Sequence, residues 1–264
     1  MPRFSVTDRV LTPELSVLRV CCDGCDAPRL QEEAADTDRV WLVTAGAFEL
    51  RDAARRRMLD PSTMMVFPRG YRFTVRHPCG EDVCLSFRGP LVEALTADGA
   101  SGHTPLAGAH LRLLAELASW RRGDGDELAL AEAFCAAVQP VRRPGAPAEP
   151  APARDRALAE ALGYQLRLHH TESTPLAELA DRVGVSVFHA CRVFRRVTGR
   201  AMHEVRSELR LRHALALLLD SRRELAEISA MTGFASQSHL SNRFRARFGV
   251  TLAAARRDPA SLRG

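Results

Sequence analysis

The chain of 264 residues contains no lysine, so all 37 of its strongly basic side chains are arginines. A GC-rich coding bias accounts for much of that absence. Its chemical consequence is that every strong cation is a planar guanidinium, able to pair bidentately with phosphate or with guanine edges. Long apolar runs are missing too. Near the C-terminus the longest, Ala214 to Leu219, has six residues, against roughly 20 for a membrane-spanning helix. No membrane partner is therefore expected. The N-terminal segment lacks the apolar stretch of a secretory leader, so a cytoplasmic location is the default expectation. In that setting the seven cysteines do not read as a disulfide scaffold.

What is present is an ordinary globular balance, 46% hydrophobic and 26% charged, long enough for one large domain or two of common size. The net charge of +5 is unevenly placed. Residues 171–264 hold 16 arginines against 9 acids, net +7; residues 1–170 hold 21 against 23, net −2. Coding bias does not explain why the positive excess sits in the last third.

Proline at 140, 144, 147, 150 and 152 removes amide donors and marks 140–153 as an extended linker. The expected division is a domain over 1–139, the linker, and a second domain over 154–264. Upstream, residues 4–90 carry short β-prone runs such as Val40-Trp41-Leu42-Val43, Met64-Met65-Val66-Phe67 and Val83-Cys84-Leu85-Ser86-Phe87, punctuated by Gly and Pro. This spacing predicts a sandwich or small barrel. Two helices should follow, Leu106 to Trp120 and Glu127 to Val138. Downstream, Ala157 to Arg257 reads as successive helices without a strand.

Residues 176–199 and 225–249 are two copies of one pattern. With Ala235 as an extra residue in the second copy, nine positions coincide: the opening Leu-Ala-Glu, Gly184 with Gly233, Ser186 with Ser236, His189 with His239, Phe194 with Phe244, Arg195 with Arg245, and Gly199 with Gly249. A short helix ending at a glycine, a serine capping the next helix, a buried phenylalanine and a terminating glycine together describe a helix-turn-helix. The second helix of such a unit can enter the major groove. Between the copies, Met202 to Asp220 as a helix would span roughly 28 Å at about 1.5 Å per residue, close to one DNA turn of about 34 Å.

Residues 157–257 resemble the DNA-binding region of AraC/XylS transcription regulators. The resemblance rests on Ile228 through Phe248, with Gly233-Phe234 at the turn, Ser236-Gln237-Ser238-His239 opening the helix and Phe244-Arg245 behind it, followed by Gly249-Val250-Thr251. Arg210 and Ala214 match as well; Leu252 and Val205 depart from the family's usual proline and aromatic. The resemblance implies base-facing positions at Phe188, Cys191 and Arg192 in the first copy and Ser238, His239 and Asn242 in the second. Arg192 suits guanine, Asn242 adenine and Phe188 a thymine methyl. Arg195, Arg196, Arg243, Arg245 and Arg247 are the candidate phosphate contacts.

The resemblance also implies a cupin-like first domain that senses an effector or dimerises. The expected fold is therefore α+β in two domains: an N-terminal antiparallel β-barrel, cupin-like, with two helices, and a C-terminal all-α double helix-turn-helix. Cupin metal sites usually rest on a histidine pair in one strand. Here His77 is the sole histidine of the first 100 residues, which argues against a cupin oxygenase. Cysteine chemistry is the sharper feature. Cys22, Cys25, His77, Cys79 and Cys84 are candidate ligands for a soft metal such as zinc, or a thiol sensor; burial as small core hydrophobes is the competing reading.

Taken together, these features predict a non-enzymatic, sequence-specific transcription regulator binding double-stranded DNA. RNA polymerase, a second copy of the chain and a small-molecule or metal effector are its expected partners. Two alternatives belong to other classes: a cysteine methyl-accepting DNA-repair regulator, and a nonspecific chromosome-binding protein.

Overall fold

The computed structural model describes residues 4–23, 31–53, 56–77, 81–97, 102–105, 108–142, 151–220 and 222–262. Among the described residues, ten strands occupy the first part: β1 (Phe4–Leu11), β2 (Ser16–Asp23), β3 (Gln31–Ala34), β4 (Arg39–Ala45), β5 (Phe48–Arg51), β6 (Arg56–Leu59), β7 (Thr63–Phe67), β8 (Arg72–Arg76), β9 (Glu81–Arg88) and β10 (Gly102–Pro105). Helix α1 (Pro90–Thr96) precedes β10, and α2 (Gly108–Arg122) and α3 (Glu127–Arg142) follow it.

Among the described residues the strands form two antiparallel sheets, not one closed barrel. The first is ordered β1-β2-β9-β4-β7-β10 and the second β3-β8-β5-β6. The larger sheet is buried on both faces, and strand alternation sorts its side chains. Val40, Leu42, Met64, Val66 and Phe87 join Leu113 and Leu117 of α2 and Leu130 and Phe134 of α3 in one core. Val43, Met65, Phe67 and Cys84 point the other way, against Phe48, Leu50, Phe73 and Val75 of the smaller sheet. Trp41 sits edge-on to Phe67 at 4.7 Å and to Phe73 at 5.4 Å in that second core. The result is three layers: small sheet, large sheet, helices. Double burial is why Met64-Met65-Val66-Phe67 is an unbroken apolar run rather than an alternating one.

Helix α3 continues through Pro140 to Arg142, past the expected domain end at 139. A proline in the last turn removes one amide donor and leaves the rest of the helix bonded. Positions 143–150 of the expected linker lie outside the described residues. The chain resumes as α4 (Ala153–Leu168), α5 (Leu176–Asp181), α6 (Val187–Thr198), α7 (Met202–Asp220), α8 (Leu225–Met231), α9 (Gln237–Phe248) and α10 (Leu252–Arg257), closed by a 3-10 turn at Pro259–Ser261.

These helices build two small cores strung on α7. Its N-terminal Met202, with Val205 against it, joins Leu162 and Leu166 of α4, Leu179 of α5 and Phe194 of α6. Further along, Leu211, Ala214, Leu215 and Leu218 join Ile228 of α8, Leu240, Phe244 and Phe248 of α9, and Leu252 of α10. Val205 and Leu252 are thus absorbed as ordinary apolar contacts. Helix α2 is shared with the strand-rich part: its Leu113 and Leu117 face the sheet while Leu111 packs with Leu211 and Leu215. Asp60, fully buried before β7, accepts from Arg167 Nε of α4 at 2.5 Å.

His170, just beyond α4, and His213 of α7 face each other with ring centroids 5.6 Å apart. Burial lowers the pKa of His170, and burial followed by the charge of His170 brings His213 down from 6.5 to about 3. A lowered imidazole pKa means that the unfolded chain takes up a proton that the folded chain refuses. Stability should therefore fall as pH drops below about 6.5, down to about 3. The expectation is that His213→Leu narrows the gap between urea midpoints measured near about pH 7 and about pH 5.

Candidate nucleic-acid interface

Helices α6 and α9 are the second elements of the two repeated units, and the same local chemistry starts and stops both. Ser186 Oγ accepts from the His189 amide at 3.3 Å, and Ser236 Oγ from the His239 amide at 3.1 Å. At the far ends the amides of Gly199 and Gly249 donate to the carbonyls of Arg195 and Arg245, at 2.8 and 2.9 Å. The turns that set each helix against its predecessor pass through Gly184 and Gly233, at φ +75° and +74°.

One face of each helix is anchored. Ala190, Val193 and Phe194 of α6, and Leu240, Phe244 and Phe248 of α9, are buried. The opposite face is open. Phe188 is 86% exposed, which is unusual for a phenylalanine in the first turn of a well-packed helix. Arg192 is exposed and its guanidinium lies 3.3 Å from His189 Nδ1; Cys191 is half-buried against the core of its unit. In the second copy Ser238, His239 and Asn242 are all exposed. The His239 ring stands edge-on to Phe234 at 5.4 Å, which fixes its orientation at the helix start. The six expected base-facing positions therefore lie on the solvent side of the two helices, with Cys191 the most withdrawn.

The five arginines expected at phosphates divide. Arg195 and Arg245 are exposed. Arg196 pairs with Asp155 of α4, and Arg243 donates to Ser207 Oγ at 3.0 Å. Arg247 reaches across to α7: its Nε lies 2.9 Å from Glu208 Oε2 and its terminal nitrogen 3.2 Å from Oε1. Glu208 also accepts from Arg212 Nε at 2.8 Å. Burial alone would raise the Glu208 carboxyl; the bond from Arg247 and the charge of Arg212 outweigh it and hold the group below its usual value. Arg247 thus ties α9 to α7.

The cysteine and histidine candidates fall in the strand-rich part. Cys22 and His77 come together, joined by Asp82, which sequence reading missed. Cys84 is not one of this group, a correction to the expected set: it is 7% exposed in the aromatic core, its Sγ 3.6 Å from the Leu85 carbonyl. Burial pushes that thiol well up. Cys25 and Cys79 lie outside the described residues. An apolar cavity of about 50 Å³, lined by Val10, Val17, Leu85, Leu117 and Leu219 among others, is well short of the roughly 300 Å³ at which ligand pockets begin.

Two capped helices, each exposing polar side chains at its N-terminal half and α6 also Phe188, define a two-headed helix-turn-helix domain. Residues 179–258 match the family described as helix-turn-helix domain. The HTH-type transcriptional regulator GlxA of Rhizobium meliloti (strain 1021) is 40% identical over 90 residues, 34% of this chain and 27% of that protein. The match thus spans about a quarter of that relative's length. An AraC-type DNA-binding domain-containing regulator from Chromobacterium violaceum aligns at 26% identity and a TM-score of 0.38, over 41% of this chain and 97% of that one. The DNA-binding domain of AdpA in complex with a target DNA aligns at 32% identity and a TM-score of 0.35, over 38% and 89%. Among the described residues no helix is long and apolar enough to cross a membrane.

Proposed function

We propose that the chain is a non-enzymatic, sequence-specific transcriptional regulator that reads double-stranded DNA with α6 and α9. The observation that carries this is the pair of equivalent open helix faces, above all Phe188 at 86% exposure beside exposed Arg192. Leaving a phenylalanine in water forgoes about 2 kcal/mol of burial, a cost that contact with a thymine methyl would offset. The 19 residues of α7 separate the heads by roughly 28 Å, so each could meet one of two successive major-groove faces about 34 Å apart. Arg195 and Arg245 supply phosphate contacts that set register without sequence information. In the same reading the strand-rich part is the sensory or dimerising unit, cupin-like in role, and RNA polymerase and a second copy are its partners in the cytoplasm.

Mapping the bound DNA across the genome, followed by titration on the recovered site, tests the proposal. A discrete shared sequence is expected, with Arg192→Ala costing about 1–3 kcal/mol there and relaxing preference at one position. Affinity equal on all sequences, or uniform weakening by Arg192→Ala, would favour nonspecific chromosome binding. The salt response separates the arginines further. Arg195→Ala and Arg245→Ala should each lower the slope of log affinity against log salt by about 0.9, while Arg247→Ala should leave it nearly unchanged.

A further inference from the structure

Cys22 and Asp82 are register partners across the β2–β9 pair, so their side chains fall on one face of the large sheet. Both point inward, at 2% and 4% exposure. His77 follows β8 of the opposite sheet, and its Nδ1 lies 2.5 Å from Asp82 Oδ2. The thiol sulfur, an imidazole nitrogen and a carboxylate oxygen all lie within 4.8 Å of one another. Three segments and both sheets thus converge at one end of the sandwich. The Phe48 ring, 5.6 Å from the His77 ring, closes one side.

We propose that Cys22, His77 and Asp82 form a binding site for a zinc-class divalent ion, with the fourth coordination position open. The donor set selects the metal. Calcium and magnesium take oxygen ligands, and copper(I) prefers sulfur. One sulfur, one nitrogen and one oxygen suit zinc, whose bonds of about 2.0–2.3 Å put neighbouring donors roughly 3–4 Å apart. The three side chains need shift by only about 1 Å to meet that spacing. A carboxyl buried beside an imidazole inside an apolar sandwich is costly to desolvate, and a bound cation offsets that cost. Cys84 supplies the internal contrast. It lies two residues from Asp82 on the same strand face, but among Trp41, Phe48 and Phe67, where a thiol is simply a small apolar group. Binding displaces the Cys22 proton to solvent and leaves a thiolate on the ion. The proposal is independent of DNA reading and stands or falls separately.

The test uses the full chain purified without chelator. Near one equivalent of zinc should bind. Cys22→Ser and Asp82→Asn should each weaken binding at least about tenfold, and Cys84→Ser should not. With cobalt(II) in place of zinc, wild type and Cys84→Ser should show a thiolate-to-cobalt charge-transfer band that Cys22→Ser lacks. X-ray absorption on the zinc-loaded wild type, which requires no variant to fold, should find sulfur together with nitrogen and oxygen around the ion. Substoichiometric zinc, a cobalt band surviving Cys22→Ser, or a zinc shell without sulfur overturns the proposal.

Discussion

Gly233→Ala should unfold the second reading unit, whereas Gly184→Ala should only weaken the first. The two glycines are equivalent in the repeat and share a left-handed backbone, φ +74° and +75°. That conformation costs an alanine about 1–2 kcal/mol, and it is the whole expected cost at Gly184, where an added Cβ meets nothing within 4 Å. At Gly233 the added carbon would lie 2.1 Å from the Thr171 carbonyl oxygen and 2.7 Å from its carbon. Both are backbone atoms, and the Thr171 segment is tied down because Arg210 of α7 donates to the neighbouring His170 and Glu172 carbonyls. Relief requires moving the α8–α9 turn away from the first unit, so the loss should exceed about 3 kcal/mol. Urea midpoints of the two variants check this. Similar midpoints would show that the Thr171 contact does not hold the turn.

That asymmetry also marks where sequence reading stops. The duplicated Leu-Ala-Glu, Gly, Ser, Phe and Gly positions expose the two units because a helix-turn-helix is built from local signals: a cap, a turn glycine and a helical period. The repeat says nothing about what the turn presses against. Strands were legible for the same local reason, but sheet closure was not, since two sheets and one barrel share the same alternation along each strand. Cys22 and Asp82 are register partners across 60 positions of sequence, and the intervening strands that make them neighbours leave no trace in either local pattern. Cys84 looked as good a ligand as Cys22; the difference is in their neighbours, His77 and Asp82 for Cys22 and aromatic rings for Cys84. Arg245 and Arg247 likewise look interchangeable, and only the phase of α9 against α7 sends one to solvent and the other to Glu208.

Glu208→Ala should destabilise the C-terminal domain by about 3–5 kcal/mol, the usual cost of removing one member of a buried ion pair. The carboxylate lies between Arg212 on its own helix and Arg247 on α9, and it is 9% exposed with Arg212 at 8%. Without it, two guanidiniums keep their like-charge repulsion and lose the group that joined them. Because its folded pKa lies below the usual 4.5, the stabilisation is fully present above that value and is lost as pH falls from there through the lower folded value. Glu208→Ala should therefore approach wild type in strongly acidic solution. The functional consequence follows from position. Glu208 fixes α9 on the helix that spaces the two heads, so loosening it should reduce affinity for a two-headed site more than for a half-site holding only the first head's bases. Urea midpoints across pH and titrations on the two DNAs measure both effects. An equal loss on both DNAs would mean that Glu208 stabilises the domain without setting the spacing of its heads.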